Sequence, residues 1–311
     1  MNNRFSELQV QSTTDFQVQI VVKSRITARF FEFKVATVNV RTASDEVKLS
    51  LILRECVKAN LKFVCIQEAR MIDKGTSKMT VEGTVWNIMW SGGKSKLHGV
   101  AVCVRECSYI KIENYDLFSN RLMSVDLEVC GTRLKVVNAY APTNNYAIST
   151  KEAFYRNLEK LSECKAKEKR KLAIFGDFNG YVSLFDRKCN FSGKAPDLGE
   201  YKSTESGDLF LEFCSDMKIC SLASHFDHKF SQRASWYSND KRTVRVLDHV
   251  LCHKWVRKHT RDCRIRNSIK IDSDHRALVA SFSFPAFKRD RRMTKTKKKV
   301  KKREKRTFPC F

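Results

Sequence analysis

The segment FKVATVNV, residues 33–40, is an apolar run of strand length that carries Asn39 near its end. Residues 46–60 follow it with apolar side chains at helical spacing, and residues 63–66 form a second apolar run that leads into Glu68. Because the pattern is strand, helix and strand in that order, it predicts a β-sheet covered by helices. The chain is therefore predicted to belong to the α/β class.

The same signals continue along the chain. Further strands are predicted at residues 85–90, 99–104, 122–129, 134–140, 172–175, 244–251 and 277–284, and further helices at 151–164 and 207–217. Cys130 and Gly131 separate two of these strands and predict a hairpin turn. Residues 180–206 are polar and lack periodicity, which indicates a surface loop.

Composition limits the class of protein. The 311 residues suffice for one large or two small domains, and only 11 Gly and 4 Pro exclude a collagen-like or largely disordered chain. No apolar run approaches 18 residues and no apolar segment follows the N-terminus, so neither a membrane span nor a secretory signal is expected. The 12 cysteines form no CxxC pair, which favours buried thiols in a reducing compartment over a zinc site.

The chain is strongly basic. Its formal net charge is +25, from 59 Lys and Arg against 34 Asp and Glu, and 13 of those cations lie in residues 286–311. Such an excess points to a polyanionic partner, either nucleic acid or an anionic membrane surface, although a basic protein can also simply be soluble. We predict an N-terminal extension at 1–30, one domain at 31–285 and a basic tail at 286–311, whose segment KKKVKKREKR (297–306) is typical of nuclear import.

Polar residues stand at the ends of several predicted strands, where α/β sheets present their sites. These residues are Asn39, Glu68, Asp177, Asn179, Asp274 and His275. Asp248 lies inside an apolar run, where a carboxylate is costly to bury unless it is paired or binds a metal. Any one of them could be an ordinary turn or cap residue, so the prediction of a site rests on their conjunction.

Six segments together resemble the endonuclease/exonuclease/phosphatase family of magnesium-dependent phosphodiesterases. They are TVNVRT (37–42), CIQEAR (65–70), VNAYAP (137–142), GDFNG (176–180), LDHVL (247–251) and SDHRA (273–277). Finer likeness to the endonuclease domains of RTE-like non-LTR retrotransposons lies in residues 90–102, 121–143 and 225–238. The resemblance implies a deoxyribonuclease I-like, four-layer sandwich of two packed mixed β-sheets flanked by helices.

The resemblance also implies roles for individual residues. Glu68 would be the main ligand of Mg²⁺ or Mn²⁺, with Asn39 and Asp274 nearby. Asp177, helped by Asn179, would position or deprotonate the attacking water. His275, paired with Asp248, would contact a phosphate oxygen, and Tyr140 would donate a hydrogen bond to the phosphate.

The implied function is Mg²⁺-dependent nicking of DNA, with RNA as a further substrate, by a monomeric nuclear protein without membrane contact. Two alternatives stay open: an inactive nucleic-acid-binding domain, and a family phosphodiesterase that acts on a phosphate ester outside nucleic acids. Arg245 stands where abasic-site repair members carry an aromatic residue, so little preference for abasic DNA is expected. His98 is predicted to be a loop histidine, and Trp90, Trp236 and Tyr237 are predicted to be core residues rather than nucleic-acid contacts.

Overall fold

The computed structural model describes residues 29–164, 168–182 and 203–286, and these contain fifteen β-strands and four α-helices. The strands are β1 (Arg29–Asn39), β2 (Leu61–Gln67), β3 (Lys74–Val81), β4 (Thr84–Ser91), β5 (Val100–Arg105), β6 (Ile110–Ser119), β7 (Leu122–Val129), β8 (Thr132–Tyr140), β9 (Lys171–Asp177), β10 (Cys220–Ser221), β11 (Trp236–Tyr237), β12 (Val244–Arg245), β13 (Asp248–Cys252), β14 (Thr260–Ile265) and β15 (Leu278–Ala286). The helices are α1 (Glu46–Lys58), α2 (Ile148–Ser162), α3 (Glu205–Asp216) and α4 (Lys254–Lys258).

Two large sheets contain most of the strands. The first has seven strands in the order β14-β15-β1-β2-β5-β4-β3, and the second has six in the order β10-β13-β9-β8-β7-β6. Neighbouring strands are antiparallel except β1 with β2 and β8 with β9, so both sheets are mixed. Strands β11 and β12 form a separate two-stranded ribbon.

The sheets pack face to face, and helices cover their outer faces. Val35, Phe63, Val125 and Phe175 belong to one buried cluster drawn from both sheets. A second cluster joins α1 to the first sheet, and a third joins α2 and α3 to the second sheet. The predicted four-layer sandwich of two packed mixed sheets flanked by helices is therefore confirmed.

Helix α1 shows how local sequence produces this packing. The Asp45 side chain accepts a hydrogen bond from the backbone N–H of Lys48 at 2.8 Å and so caps the first turn. Leu49, Ile52, Leu53 and Cys56 are buried at helical spacing, which creates one apolar face. That face packs on the first sheet and fixes the loop that joins α1 to β1.

One strand prediction is wrong in its extent. The predicted strand at 244–251 is broken into β12 and β13, which belong to different sheets. The break lies at residues 246–247, where the carbonyl oxygen of Leu247 accepts from the N–H of Phe178 and the N–H of Leu247 donates to the Ser235 hydroxyl. These hydrogen bonds to distant residues take the place of the strand-to-strand hydrogen bonds that a continuous strand would form here. The apolar sequence of residues 244–251 does not indicate them.

Five strands were not predicted: β3, β6, β10, β11 and β14. β10 and β11 have only two residues each, which is too short to show an apolar pattern. β3 and β6 lie at sheet edges and carry mostly exposed or half-exposed residues, so they lack the apolar run that signals a strand. β14 is interrupted by charged residues. Most of the loop predicted at 180–206 lies outside the described residues, as do residues 1–28 and 287–311, so the predicted domain boundaries stay predictions.

The cysteines and the helices test two further expectations. Within the described ranges, ten cysteines are free and seven of them are buried, which agrees with the prediction of buried thiols. None of the described helices has the length and apolar character needed to span a membrane.

Candidate active site

The site residues come together because two parallel strand pairs end at the same edge of the sandwich. In the first sheet Asn39 closes β1 beside Gln67, and Glu68 follows directly. In the second sheet Tyr140 closes β8 directly beside Asp177, the last residue of β9. Because the carboxyl ends of parallel strands share an edge, the topology places these side chains together.

Asn39 joins the two sheets at this edge. Its amide nitrogen lies 3.0 Å from Glu68 Oε1 and 3.0 Å from Asp177 Oδ2, so it donates to both carboxylates. Its amide oxygen accepts from the backbone N–H of Arg41 at 3.0 Å. Asn39 is buried, and it holds the two carboxylates at a fixed separation.

Glu68 receives three donors. Beyond Asn39, the Tyr140 hydroxyl donates to Oε1 at 3.0 Å and the Arg70 guanidinium donates to Oε2 at 2.8 Å. Burial alone would raise the pKa of Glu68, but the hydrogen bonds from Asn39, Arg70 and Tyr140 outweigh it and leave that pKa below its usual value. Glu68 is therefore an ionised carboxylate at neutral pH.

Asp177, His275 and Asp248 form a buried group next to that pair. His275 Nδ1 lies 2.8 Å from Asp248 Oδ2, and its Nε2 lies 3.7 Å from Asp177 Oδ2. Burial opposes the charged form of His275, but the carboxylates of Asp248 and Asp177 raise its pKa well above the usual range. Burial raises the pKa of Asp177, with the His275 charge acting in the opposite direction.

The backbone around Asp177 is tightly constrained. A side chain at Gly176 would meet the carbonyl oxygen of Ala139 on β8, so only glycine allows β8 and β9 to approach here. The N–H of Asn179 donates to Asp177 Oδ1 at 3.0 Å, and its amide nitrogen donates to the Ala141 carbonyl at 2.9 Å. Asn179 thus fixes the orientation of the Asp177 carboxylate.

Four of the twelve non-glycine residues with positive φ in the described part of the chain lie at the same edge. Arg41, Glu68, Arg70 and Asn179 all have φ between 46° and 58°, in the left-handed region that non-glycine residues seldom occupy. Such conformations cost free energy and persist where surrounding structure holds them, commonly at functional sites. Four of them around one cluster support a functional assignment for this edge.

Asp274 lies on the loop before β15 and contacts the β11–β12 ribbon. Its Oδ2 accepts from the Trp236 indole N–H at 3.0 Å, its backbone oxygen accepts from the N–H of Tyr237, and its Oδ1 lies 3.9 Å from Arg41 Nε. The backbones of Trp236 and His275 also pair in an isolated antiparallel β-bridge. The expectation that Trp236 belongs to the core is wrong, because this half-buried ring lines the cavity of the site.

These residues open into one cavity of about 550 Å³. Its walls include Asn39, Glu68, Tyr140, Asp177, Asn179, Asp274 and His275, which are seven of the eight predicted site residues. The eighth, Asp248, lies behind His275. A cavity of about 540 Å³ between α1 and residues 270–272 contains none of them.

The donor set fits a hard divalent cation. The side chains of Glu68 and Asp274 are 18% and 25% exposed, and both face the cavity, so their oxygens are accessible. Asp177, Asp248 and His275 also place one ligand atom each within 4.8 Å of one another, but all three are buried, His275 is hydrogen-bonded to Asp248, and its Nε2 lies 3.7 Å from Asp177. Glu68 and Asp274 are therefore the better placed ligands, whereas Asn39 is buried and uses one of the two lone pairs of its oxygen to accept from Arg41.

Sequence reasoning missed several contributors to the site. Arg70 pairs with Glu68, and the Ser235 hydroxyl accepts from the N–H of Asp248 at 3.0 Å. The Arg121 guanidinium lies over the Tyr140 ring, and the Tyr181 ring lies under the Arg245 guanidinium. Only Arg70 had a sequence signal, because it lies two residues after the predicted metal ligand.

Comparison with known proteins agrees with this geometry. A family model described as the Endonuclease/Exonuclease/phosphatase family matches residues 36–275. Craniofacial development protein 2 of Bos taurus is 25% identical over 252 residues, covering 81% of this chain and 41% of the relative. The Tragulus javanicus protein of the same name is 24% identical, covering 81% and 42%. The chain thus spans less than half the length of these curated relatives.

Solved structures share the fold at low sequence identity. The endonuclease domain of TRAS1, a telomere-specific non-LTR retrotransposon, aligns with a TM-score of 0.56 at 14% identity, covering 80% of this chain and 98% of that one. The AP endonuclease LMAP from Leishmania major gives 0.60 at 12%, covering 82% and 88%. The Xenopus laevis APE2 catalytic domain gives 0.57 at 16%, covering 82% and 94%. Since the family model spans most of the chain and the matched motifs meet at one cavity, the chain belongs to the Endonuclease/Exonuclease/phosphatase family.

Proposed function

We propose that the chain is a Mg²⁺-dependent phosphodiesterase that nicks DNA. One observation carries the proposal: Asn39 links Glu68 to Asp177, and His275 lies between Asp177 and Asp248, all at the edge of an open cavity. An accessible ionised carboxylate, a buried carboxylate and a protonated imidazole supply the charges that hydrolysis of a phosphodiester needs.

Glu68 is proposed as the main Mg²⁺ ligand, supported by Asp274 and by Asn39, and Mn²⁺ has the same preference for oxygen donors. When bound, the ion supplies positive charge that offsets the charge developing on the scissile phosphate. Arg70 keeps the carboxylate of Glu68 oriented through its hydrogen bond to Oε2.

Asp177 is proposed to orient the attacking water and to accept its proton. Its raised pKa makes the carboxylate a better proton acceptor near neutral pH than an exposed aspartate. Asn39 and Asn179 each hold one of its oxygens in place.

His275 is proposed to stabilise the phosphate. Because Asp248 accepts from Nδ1, the ring stays protonated and presents Nε2–H toward the cavity side. Tyr140 is proposed to turn toward the phosphate the hydroxyl proton that it donates to Glu68 in this structure, and it stays neutral because burial and the Glu68 charge raise its pKa far above its usual value.

DNA is the proposed partner, and RNA is the alternative polyanion. The net charge of +25 favours a polyanionic strand over an uncharged or lipid ester. Fold neighbours are described as endonucleases and as an exonuclease, and one of them, the Neisseria 3′ phosphatase NExo, is described as bound to product DNA hairpin.

We further propose that the protein is a monomer and that residues 297–306 direct it to the nucleus. A full-length fluorescent fusion that stays in the cytoplasm would contradict the import proposal.

A plasmid-nicking assay tests the proposed activity. The full-length chain should convert supercoiled plasmid to the open circle with Mg²⁺ and lose this activity with EDTA. Asp177→Asn and Glu68→Gln should each reduce the rate on the order of 10²–10⁴-fold. Asp216→Asn, at the exposed end of α3, is the matched control and should be as active as wild type.

The contrary outcomes separate the alternatives. If purified Asp177→Asn nicks as fast as wild type, the assignment of the site is wrong. If the wild type binds DNA but does not nick it under any divalent metal, the chain is an inactive nucleic-acid-binding domain.

A further inference from the structure

A cation lies between two aromatic rings beside the site. The guanidinium carbon of Arg121 is 4.9 Å from the ring centre of Tyr140 and 5.1 Å from that of Tyr146. Cations are attracted to the faces of aromatic rings, so this arrangement fixes both rings relative to the guanidinium.

Hydrogen bonds hold the guanidinium in place. Its Nη1 donates to the carbonyl oxygens of Tyr140 and Ala141 at 3.2 and 3.3 Å, and its Nη2 lies 3.2 Å from Nε2 of His98. Because a guanidinium can only donate, His98 Nε2 is the acceptor and the ring proton sits on Nδ1. The Tyr146 hydroxyl lies 3.3 Å from the same Nε2. His98, predicted to be an ordinary loop histidine, therefore helps to anchor both Arg121 and Tyr146.

The two rings differ in exposure. Tyr140 is 6% exposed and its hydroxyl bonds Glu68, whereas Tyr146 is 39% exposed. Tyr146 directly follows residues 143–145, which line the cavity of the site. Tyr146 is thus an accessible aromatic ring that is held in place before any ligand binds. The Arg121 guanidinium links it to Tyr140, whose hydroxyl donates to the proposed metal ligand Glu68.

The surroundings suit a nucleic acid strand. Lys94 and Lys96 are exposed on the loop that leads to His98, and the side chain of Arg70 is 41% exposed. Fixed aromatic rings beside cationic side chains are the usual means by which proteins hold unpaired nucleotides, because every base offers a π-face. Bases inside a duplex have both faces covered, so only an unpaired base can use such a ring.

We propose that Tyr146, held by Arg121 and His98, is a stacking platform for one unpaired base next to the scissile phosphate. The preferred substrate is then a strand that is unpaired at the cut, such as a bulge, a flap or a junction. This inference rests on the proposed function, since it names the substrate class of the same site.

Binding without hydrolysis tests the proposal. The full-length chain is titrated in EDTA against three fluorescent duplexes: one fully paired, one with a single unpaired adenine, and one with an abasic residue at that bulge. The wild type should bind the adenine bulge on the order of tenfold more tightly than the abasic bulge. Tyr146→Ala should bind both bulges equally, whereas Tyr146→Phe should still discriminate because it keeps the ring.

An exposed tyrosine elsewhere supplies the control. Tyr115 on β6 is 45% exposed and does not line the cavity, so Tyr115→Ala should discriminate as the wild type does. Equal binding of the two bulges by wild type, or discrimination kept by Tyr146→Ala, would overturn the proposal. If the wild type nicks plasmid DNA but binds the adenine and abasic bulges equally, only the stacking proposal is overturned. If it binds the adenine bulge more tightly but does not nick DNA, only the proposed hydrolysis is overturned.

Discussion

Asp177 on β9 and Asp248 on β13 lie directly opposite each other in the antiparallel ladder, and both are buried. Like charges at opposed positions destabilise a sheet, and burial adds to the cost of ionising them. His275 resolves the conflict because its two nitrogens face the two carboxylates, at 2.8 Å from Asp248 and 3.7 Å from Asp177. The imidazolium is therefore part of the folded structure as well as of the proposed chemistry.

Removing that imidazolium should destabilise the fold. His275→Gln leaves two buried carboxylates without a cation, and loss of one partner of a buried ion pair typically costs about 3–5 kcal/mol in the free energy of unfolding. Urea unfolding at pH 7.5 measures it. The control is His228→Gln, which breaks a His–Asp contact but leaves the Asp262 carboxylate paired with Arg264 and Arg266, so it should cost less than His275→Gln.

The pH dependence of that deficit has a definite sign. In the wild type the pKa of His275 is raised from 6.5 to about 9 by the neighbouring carboxylates, so its contribution to stability is fully present below pH 6.5 and is lost as pH rises through 9. The deficit of His275→Gln should therefore be larger at pH 6 than at pH 9.5. A deficit that is independent of pH would mean that lost packing, rather than uncompensated charge, explains it.

A buried histidine outside the cavity gives a second pH prediction. Burial lowers the pKa of His249 to about 4, from 6.5 for the exposed group. Between these values the unfolded chain binds a proton that the folded chain cannot, so the free energy of unfolding falls as pH drops through this window. From pH 7.5 to 5 this contributes a loss of about 2 kcal/mol.

His249→Asn removes the titrating group while offering a polar atom to the Ser221 hydroxyl, which lies 3.1 Å from His249 Nδ1 in wild type. Urea unfolding across that pH range should therefore give the variant a shallower loss of stability. Parallel pH profiles for variant and wild type would show that folding does not lower the pKa of His249.

Sequence patterns identified the strands with apolar runs and the polar residues at their ends, because burial and strand termination both leave local signals. They did not identify β3 or β6, whose exposed edge residues carry no such signal. They also missed that Trp236 contacts Asp274 and that His98 contacts Arg121, since these contacts join segments distant in sequence. The Asp248–His275 pair came from family resemblance, and its 2.8 Å geometry agrees with that expectation.

The basic tail should control the salt dependence of DNA binding. Residues 287–311 contain 13 cations, and each phosphate neutralised on duplex DNA adds about 0.9 to the slope of log K against log salt. A chain ending at Ala286 should show a flatter slope and weaker binding to all sequences alike. A full-length chain with the tail residues shuffled keeps the charge and should keep the slope; an unchanged slope after truncation would exclude the tail from binding.

Arg245 gives the cavity wall a charged and polar character. Its guanidinium carbon lies 4.7 Å from the ring centre of Tyr181, and its Nη1 donates to the Val244 carbonyl at 3.0 Å. Arg245 pairs with Trp236 across the β11–β12 ribbon and lines the cavity with Thr243. An extruded abasic sugar needs a dry apolar wall, and a guanidinium there must keep its hydration or its partners.

We therefore expect little discrimination between abasic and intact duplex. Nicking rates on matched duplexes with and without one abasic analogue, at equal Mg²⁺ and salt, should agree within about tenfold, since the substrate would be selected by shape and deformability. Arg245→Phe replaces the guanidinium with an apolar ring and should shift the ratio toward the abasic substrate. Thr243→Ser, on the same ribbon side of the cavity, is the conservative control and should keep the wild-type ratio. A wild-type preference above about a hundredfold, roughly 2.7 kcal/mol, would identify a repair-type pocket and refute the role given to Arg245.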